Sequence, residues 1–308
     1  MYKRMFLIPA VLTMLSGCGG GGGGSSSTPA DVSYSGVTTQ ATVSSSNAKA
    51  LSADAYSGNQ LASELSGIGK MAIISDGQLA VVQETAAAME TSIAAAVTAP
   101  KSSAKAVAAA VTVQNTIPGY SGTGSYSITV DPITGTFSGS FSFSQYKDTS
   151  TSAAMTGSLE FSGSFNSTSG TFSGMNMIFH NLSAIKGTAS YTMSGSVTSS
   201  TSGTTKNVAI TIMLADNVSG RNYWLSGYTL SLTGSALSVS GKYYHPAYGF
   251  VVISTITPLT VSAIDGTPTA GQLLFSGSNG TKARLTFAGS IQTVEADTTG
   301  SGSYVVIP

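Results

Sequence analysis

From about residue 120 to its end the chain alternates apolar and polar positions with a period of two. Tyr126, Ile128 and Val130 are separated by Ser and Thr, and Asp131-Pro132-Ile133-Thr134-Gly135 then breaks the run with turn-forming residues. Phe137, Phe141 and Phe143 share a face with Gly139. Met155, Leu159, Phe161 and Phe165 repeat the pattern with Gly157 and Gly163. Tyr191, Met193 and Val197 follow, then Val208, Ile210, Ile212 and Leu214. Further candidate strands cover 228–232, 237–243, 248–256, 273–275, 284–287 and 304–307. Ten to thirteen strands at this spacing predict a mainly β fold, an antiparallel meander forming a barrel or a sandwich. With Ser and Thr on one face of each strand, only the other face is buried. A transmembrane barrel has the same period with its apolar face outward. The preceding helical pattern and the final Val305-Val306-Ile307-Pro308 weigh against it.

Upstream the period is helical. Leu61, Leu65, Ile68 and Ala72 fall on one face, as do Leu79, Val82, Ala86, Met89, Ile93 and Ala96 after Ser75-Asp76-Gly77. Ser75 or Asp76 serves as an N-cap and Pro100 as a stop. The narrow, Ala-lined stripe suits a close-packed helical hairpin or a coiled-coil seam, and the Ala/Val run 104–113 extends it. The chain thus divides into 1–17, 18–46, a helical region 47–114 and a β domain 115–308. Residues 19–27 are only Gly and Ser, and polar residues continue to 46. A flexible spacer of roughly 28 residues spans about 30 Å on average.

The first 18 residues carry a different signal. Lys3 and Arg4 precede an apolar run, 5–15, interrupted by Pro9 and Thr13; it is too short to span a bilayer and has the order of a secretory signal. It ends in Leu15-Ser16-Gly17-Cys18, which resembles the lipobox of bacterial lipoproteins. The resemblance implies cleavage before Cys18, a thioether-linked diacylglycerol on its sulfur and an acyl chain on its new amino group. Each buried CH₂ then contributes ~0.8 kcal/mol to membrane binding. Gly19 stands where an aspartate retains enterobacterial lipoproteins at the inner membrane, so the expected location is the outer membrane. Cys18 is the only cysteine, which leaves no disulfide partner for it.

Composition narrows the function classes. Removal of Lys3 and Arg4 from 13 basic side chains leaves 11 against 13 acidic ones. Only 8% of residues are charged, so no basic patch exists to neutralise phosphates, and nucleic acid is not an expected partner. His180 and His245 lie far apart in sequence with no second His or Cys beside either, which gives no zinc constellation. No nucleophile elbow, Ser-x-x-Lys, His-Glu-x-x-His or phosphate-cradling Gly-Lys-Ser/Thr loop occurs. Glu295 and Asp297, two apart, are the one close acid pair near a strand end, and solvated turn positions explain them. We therefore expect no catalytic residues, no metal and no cofactor.

One local feature stands out: Arg221-Asn222-Tyr223-Trp224 holds the only tryptophan, and 242–248 is dense in aromatics. Trp224, Tyr243, Tyr244 and Tyr248 are the candidate binding residues, for sugar rings or a protein surface. Cross-strand packing within the sheet is the alternative for the same residues. The segment 244–304 also resembles the tail of uncharacterised proteobacterial Ser/Thr/Gly-rich lipoproteins, through His245-Pro246-Ala247-Tyr248-Gly249, Gly271-Gln272-Leu273 and Gly280-Thr281-Lys282-Ala283-Arg284-Leu285. That resemblance implies location and fold, and no activity. Its members often end in an Asp/Gly-rich loop suited to calcium. Here Asp297-Thr298-Thr299-Gly300-Ser301-Gly302 offers one carboxylate where calcium wants several. The expectation is a lipid-anchored cell-envelope protein of structural or binding role, its partners membrane lipid through Cys18 and an envelope protein or polysaccharide. A carbohydrate- or partner-binding adhesin-like module is the alternative; a hydrolase ranks third.

Overall fold

The computed structural model describes residues 31–52, 55–56, 110–165, 172–262 and 267–308. Cys18, the signal segment and the helical stripes of 61–96 lie outside the described residues. Among the described residues fourteen strands follow in order: β1 (Val111–Ile117), β2 (Ser121–Asp131), β3 (Thr136–Lys147), β4 (Ala154–Phe165), β5 (Phe172–Lys186), β6 (Ala189–Ser202) and β7 (Thr205–Asp216). They continue as β8 (Arg221–Thr233), β9 (Ala236–His245), β10 (Gly249–Val261), β11 (Pro268–Ser276), β12 (Lys282–Ala288), β13 (Ile291–Asp297) and β14 (Val305–Val306). Every strand pairs antiparallel with its chain neighbours, in one sheet of order β1 to β14. The mainly β meander is therefore established. It is a single sheet with β1 and β14 at its edges, neither closed into a barrel nor split into two packed sheets.

Short turns hold the register. In the β2–β3 turn one oxygen of Asp131 accepts from the N–H groups of Ile133 and Thr134, and Gly135 donates to the Asp131 carbonyl. The β7–β8 turn repeats this at Asp216, Val218, Ser219 and Gly220. Both read Asp-x-x-x-Gly in sequence, an Asx turn closed by a residue free to adopt positive φ.

The apolar face is buried from β2 to β13, in one cluster that includes Ile128, Phe141, Leu159, Phe179, Ile210, Tyr228 and Phe275. The opposite face, called outer below, carries the Ser and Thr rows. Alternation is not strict, however. In β3, β5 and β8 the phase slips by one residue at Gln145 (φ 52°), Asn181 (φ 45°) and Gly227 (φ 57°), so that Tyr146, Leu182 and Tyr228 still point into the core. Each slip is a β-bulge, and together they fall on a line that continues through Gly157 in β4 and Gly195 in β6. At Gly195 (φ 129°) a side chain would run into the Thr211 carbonyl and the Ile212 Cα. Bulges and kinked glycines in a row bend the strands and strengthen the twist.

Residues 48–52 and 55–56 are helical and lie on the apolar face. The Tyr228 hydroxyl, fully buried in β8, donates to the Ala55 carbonyl at 3.0 Å. The ring of Tyr56 sits 5.0 Å from that of Phe287 in β12. Leu51 and Ala48 join the same core.

Candidate functional site

The segment before this helix was expected to be free spacer up to residue 46; from Val32 to Val43 it is instead strapped to the sheet. The Val32 N–H donates to Asn181 Oδ1 at 2.9 Å and Ser194 Oγ at 3.2 Å, at the β5 bulge. Asn222 donates to the Ser33 carbonyl and to Ser35 Oγ. Val37 donates to the Pro246 carbonyl. Phe250 then exchanges backbone bonds with Thr39 and Ala41, and Gln40 forms a parallel bridge with it. This is possible because Phe250 lies beyond the end of β11, whose Ser276 pairs with Val252. The strap fills the vacant neighbour position there. It is held from the far side by the bond from Ser278 to the Ala41 carbonyl and by the buried Thr281 hydroxyl, which accepts from Val43. It then turns at 44–47 and enters the helix on the apolar face.

Aromatic side chains fasten the strap where it crosses the outer face. Trp224 and Tyr244 are register partners of β8 and β9, with rings stacked 4.4 Å apart. Tyr34 of the strap covers both, at 5.9 Å from Trp224 and 5.6 Å from Tyr244. Its hydroxyl donates to the carbonyls of His245 and Val37. Burial, with a lesser contribution from Tyr244, pushes the Tyr34 pKa up to about 12. Phe250 extends the stack at 5.1 Å from Tyr244, and the Lys242 ammonium lies over the Phe250 ring. Among the described residues the buried Trp224 Nε1–H meets no acceptor.

The four candidate aromatics are not one strip. Trp224 and Tyr244 lie on the outer face, Tyr243 on the apolar face beside Tyr223, and Tyr248 at the β9–β10 hairpin tip, 40% exposed and stacked on His245 at 4.5 Å. Period two dictates this, since consecutive residues point to opposite sides. Tyr34, which completes the outer stack, gave no signal in sequence because it stands in a polar run.

Charged groups near the surface are engaged locally. His180 lies between Asp31 (3.7 Å) and Glu160 (3.8 Å) on the outer face. Arg284 bonds Glu295 at 3.1 Å and stacks on Tyr304. Asp297 is the keystone of the last loop: its two oxygens accept from the N–H groups of Thr299, Gly300, Ser301 and Gly302. Burial raises its pKa, but these four donors outweigh burial and hold the carboxyl below its ordinary value. The carboxylate thus organises backbone. Among the described residues no group of three His, Cys, Asp or Glu side chains is placed to hold a metal ion. A shallow groove near the β1 edge is lined by uncharged residues, among them Gln114, Thr116, Ser125, Ser127 and Ser142 together with the ring of Tyr126.

No family model, no curated protein and no solved structure matches this chain.

Proposed function

We propose that the chain is a lipid-anchored protein of the bacterial outer membrane, held through acylated Cys18, with a structural or binding role and no catalysis. The observation that supports this most is the strap. Residues 32–43 join the segment leading from Cys18 to three separate parts of the sheet, at β5–β6, β8–β10 and the 277–281 turn. Such a connection suits a role in which an anchored N-terminal segment passes load into the fold. The engaged carboxylates agree with a binding or structural role. Cys18→Ala should move the protein from the floating membrane fraction to the soluble one; continued flotation of that variant would reject anchoring at Cys18.

A second reading, a polysaccharide-binding module, is favoured by the uncharged groove beside β1, where hydroxyl and amide side chains flank the Tyr126 ring. Retention on immobilised cell-wall polysaccharide that Ser127→Leu abolishes without lowering Tm would favour it over a purely structural role.

A further inference from the structure

The two edges of the sheet are built differently. β14 has two paired residues, Val305 and Val306, and is followed at once by Ile307 and Pro308. A two-residue strand ended by proline is an edge blunted against further pairing. β1, although Pro118 follows Ile117 directly, is not short. It is seven residues long, Val111-Thr112-Val113-Gln114-Asn115-Thr116-Ile117, with no charge, no proline and no bulge in its register with β2. Among the described residues no strand pairs with its free side, so alternate backbone N–H and C=O groups are left without partners. An uncharged, regular edge of this length is a template for another strand.

We infer that the occupant is β1 of a second copy, paired antiparallel about a twofold axis through Gln114. The sequence is self-complementary in that register. Thr112 comes opposite Thr116, Val111 opposite Ile117, Val113 opposite Asn115, and Gln114 opposite itself. The faces match too. Thr112, Gln114 and Thr116 share the outer side; the half-buried Val111, Val113 and Ile117 lie on the apolar side, with the exposed Asn115 as its one polar residue. Thr112 already makes this cross-strand bond within the chain, to Thr129 at 2.8 Å, as Thr205 does to Thr233. Self-pairing therefore extends the hydroxyl rows and the apolar face across the axis without placing like charges or apolar and charged groups opposite each other. β14 is a poorer partner for β1, since it offers only two paired residues before Pro308. The interface is isologous, so it closes as a dimer rather than propagating.

The axis through Gln114 gives the test. Gln114 is exposed, so Gln114→Lys and Gln114→Glu leave the fold intact, but in the dimer each sets two like charges directly opposite. Sedimentation equilibrium of the full chain in detergent should show a monomer–dimer equilibrium, weakened at least tenfold in either variant. A mixture of the two variants should recover it as a heterodimer. In a Cys18→Ser background Gln114→Cys should form a symmetric disulfide with itself. Cross-linking instead between Gln114→Cys and Val306→Cys in different copies would overturn the proposal in favour of head-to-tail pairing. A wild type that sediments as a monomer at all concentrations, or unaltered association in both charge variants, would also overturn it.

Discussion

Replacing Trp224 separates three accounts of the aromatic cluster by magnitude. A tryptophan in a close-packed core costs about 3–5 kcal/mol when cut to alanine. A freely exposed one costs almost nothing. Trp224 is neither: it lies on the face away from the core and is clamped between Tyr244 and Tyr34. Aromatic pairs contribute ~0.5–1.5 kcal/mol each beyond area burial, and water can enter the gap on this side, so Trp224→Ala should cost about 2 kcal/mol. Trp224→Phe keeps both stacks and removes the buried Nε1–H that has no acceptor. Because an unsatisfied buried donor costs ~1–3 kcal/mol, that change should lose less than about 1 kcal/mol. If the strap is fastened by this contact, Tyr34→Ala and Trp224→Ala are coupled, and the double variant should fall short of the sum by about 0.5–1.5 kcal/mol. Independent sites add within ~0.3–0.5 kcal/mol. Urea unfolding of the four proteins, followed by far-UV circular dichroism, supplies the numbers. Strict additivity, or a Trp224→Ala loss under about 0.5 kcal/mol, would refute the clasp; a loss above about 4 kcal/mol would place Trp224 in the core after all.

Other consequences follow from the same structure. Gly195→Ala forces a β-carbon into the Thr211 carbonyl at a φ that L-residues avoid, and should cost about 2 kcal/mol or more, against about 1 for Gly203→Ala in an open turn. Thermal unfolding of both variants checks the difference. Tyr228→Phe removes the bond that ties the helix at Ala55 to β8 and should cost about 1–2 kcal/mol in urea, since the buried carbonyl is left unpaired. Asp297 has a depressed folded-state pKa, so its stabilisation is present above the ordinary carboxylate range and lost as pH falls below that range through the depressed value. Asp297→Asn should lower Tm at pH 7 and flatten the acid limb of the stability profile. Tyr34 and Tyr146 are shifted the other way, to about 12, by burial first. Their neutral forms are favoured by folding, so that contribution is present below pH ~10 and lost as pH rises towards 12, which an ultraviolet phenolate titration against unfolding reports.

Most of the sheet was legible because a one-sided antiparallel strand must alternate, and β2, β3, β4 and β7 do so with Phe, Leu, Ile and Met against Ser and Thr. β5 is not delimited by the alternation. The Asn181 bulge breaks its period, and Ile178 and Ile185 lie on the outer side, so no single phase fits it. β1 merged with the Ala/Val run that precedes it, which is why the expected boundary at 115 falls inside Val111–Ile117. The number of strands was thus underestimated, and how the meander closes could not be read from periodicity, which carries no information on which strands are edges. The strap was illegible for another reason. Ser, Thr and Gly residues without periodicity read as spacer, whereas their order comes from long-range bonds such as Val32 to Asn181 and Val37 to Pro246. Trp224 and Tyr244 were found through composition. Their separation from Tyr243 followed from the pleat, once the register Trp224↔Tyr244 was known.

Intact-mass and N-terminal peptide mass spectrometry of the protein isolated from membranes tests the anchor at Cys18 most directly. The predicted species begins at Cys18, lacks residues 1–17, and carries the added mass of a diacylglyceryl group on sulfur and an acyl chain on nitrogen. An N-terminus at any other residue, or a Cys18 with a free thiol in the membrane-derived protein, would contradict lipid anchoring and the function built on it.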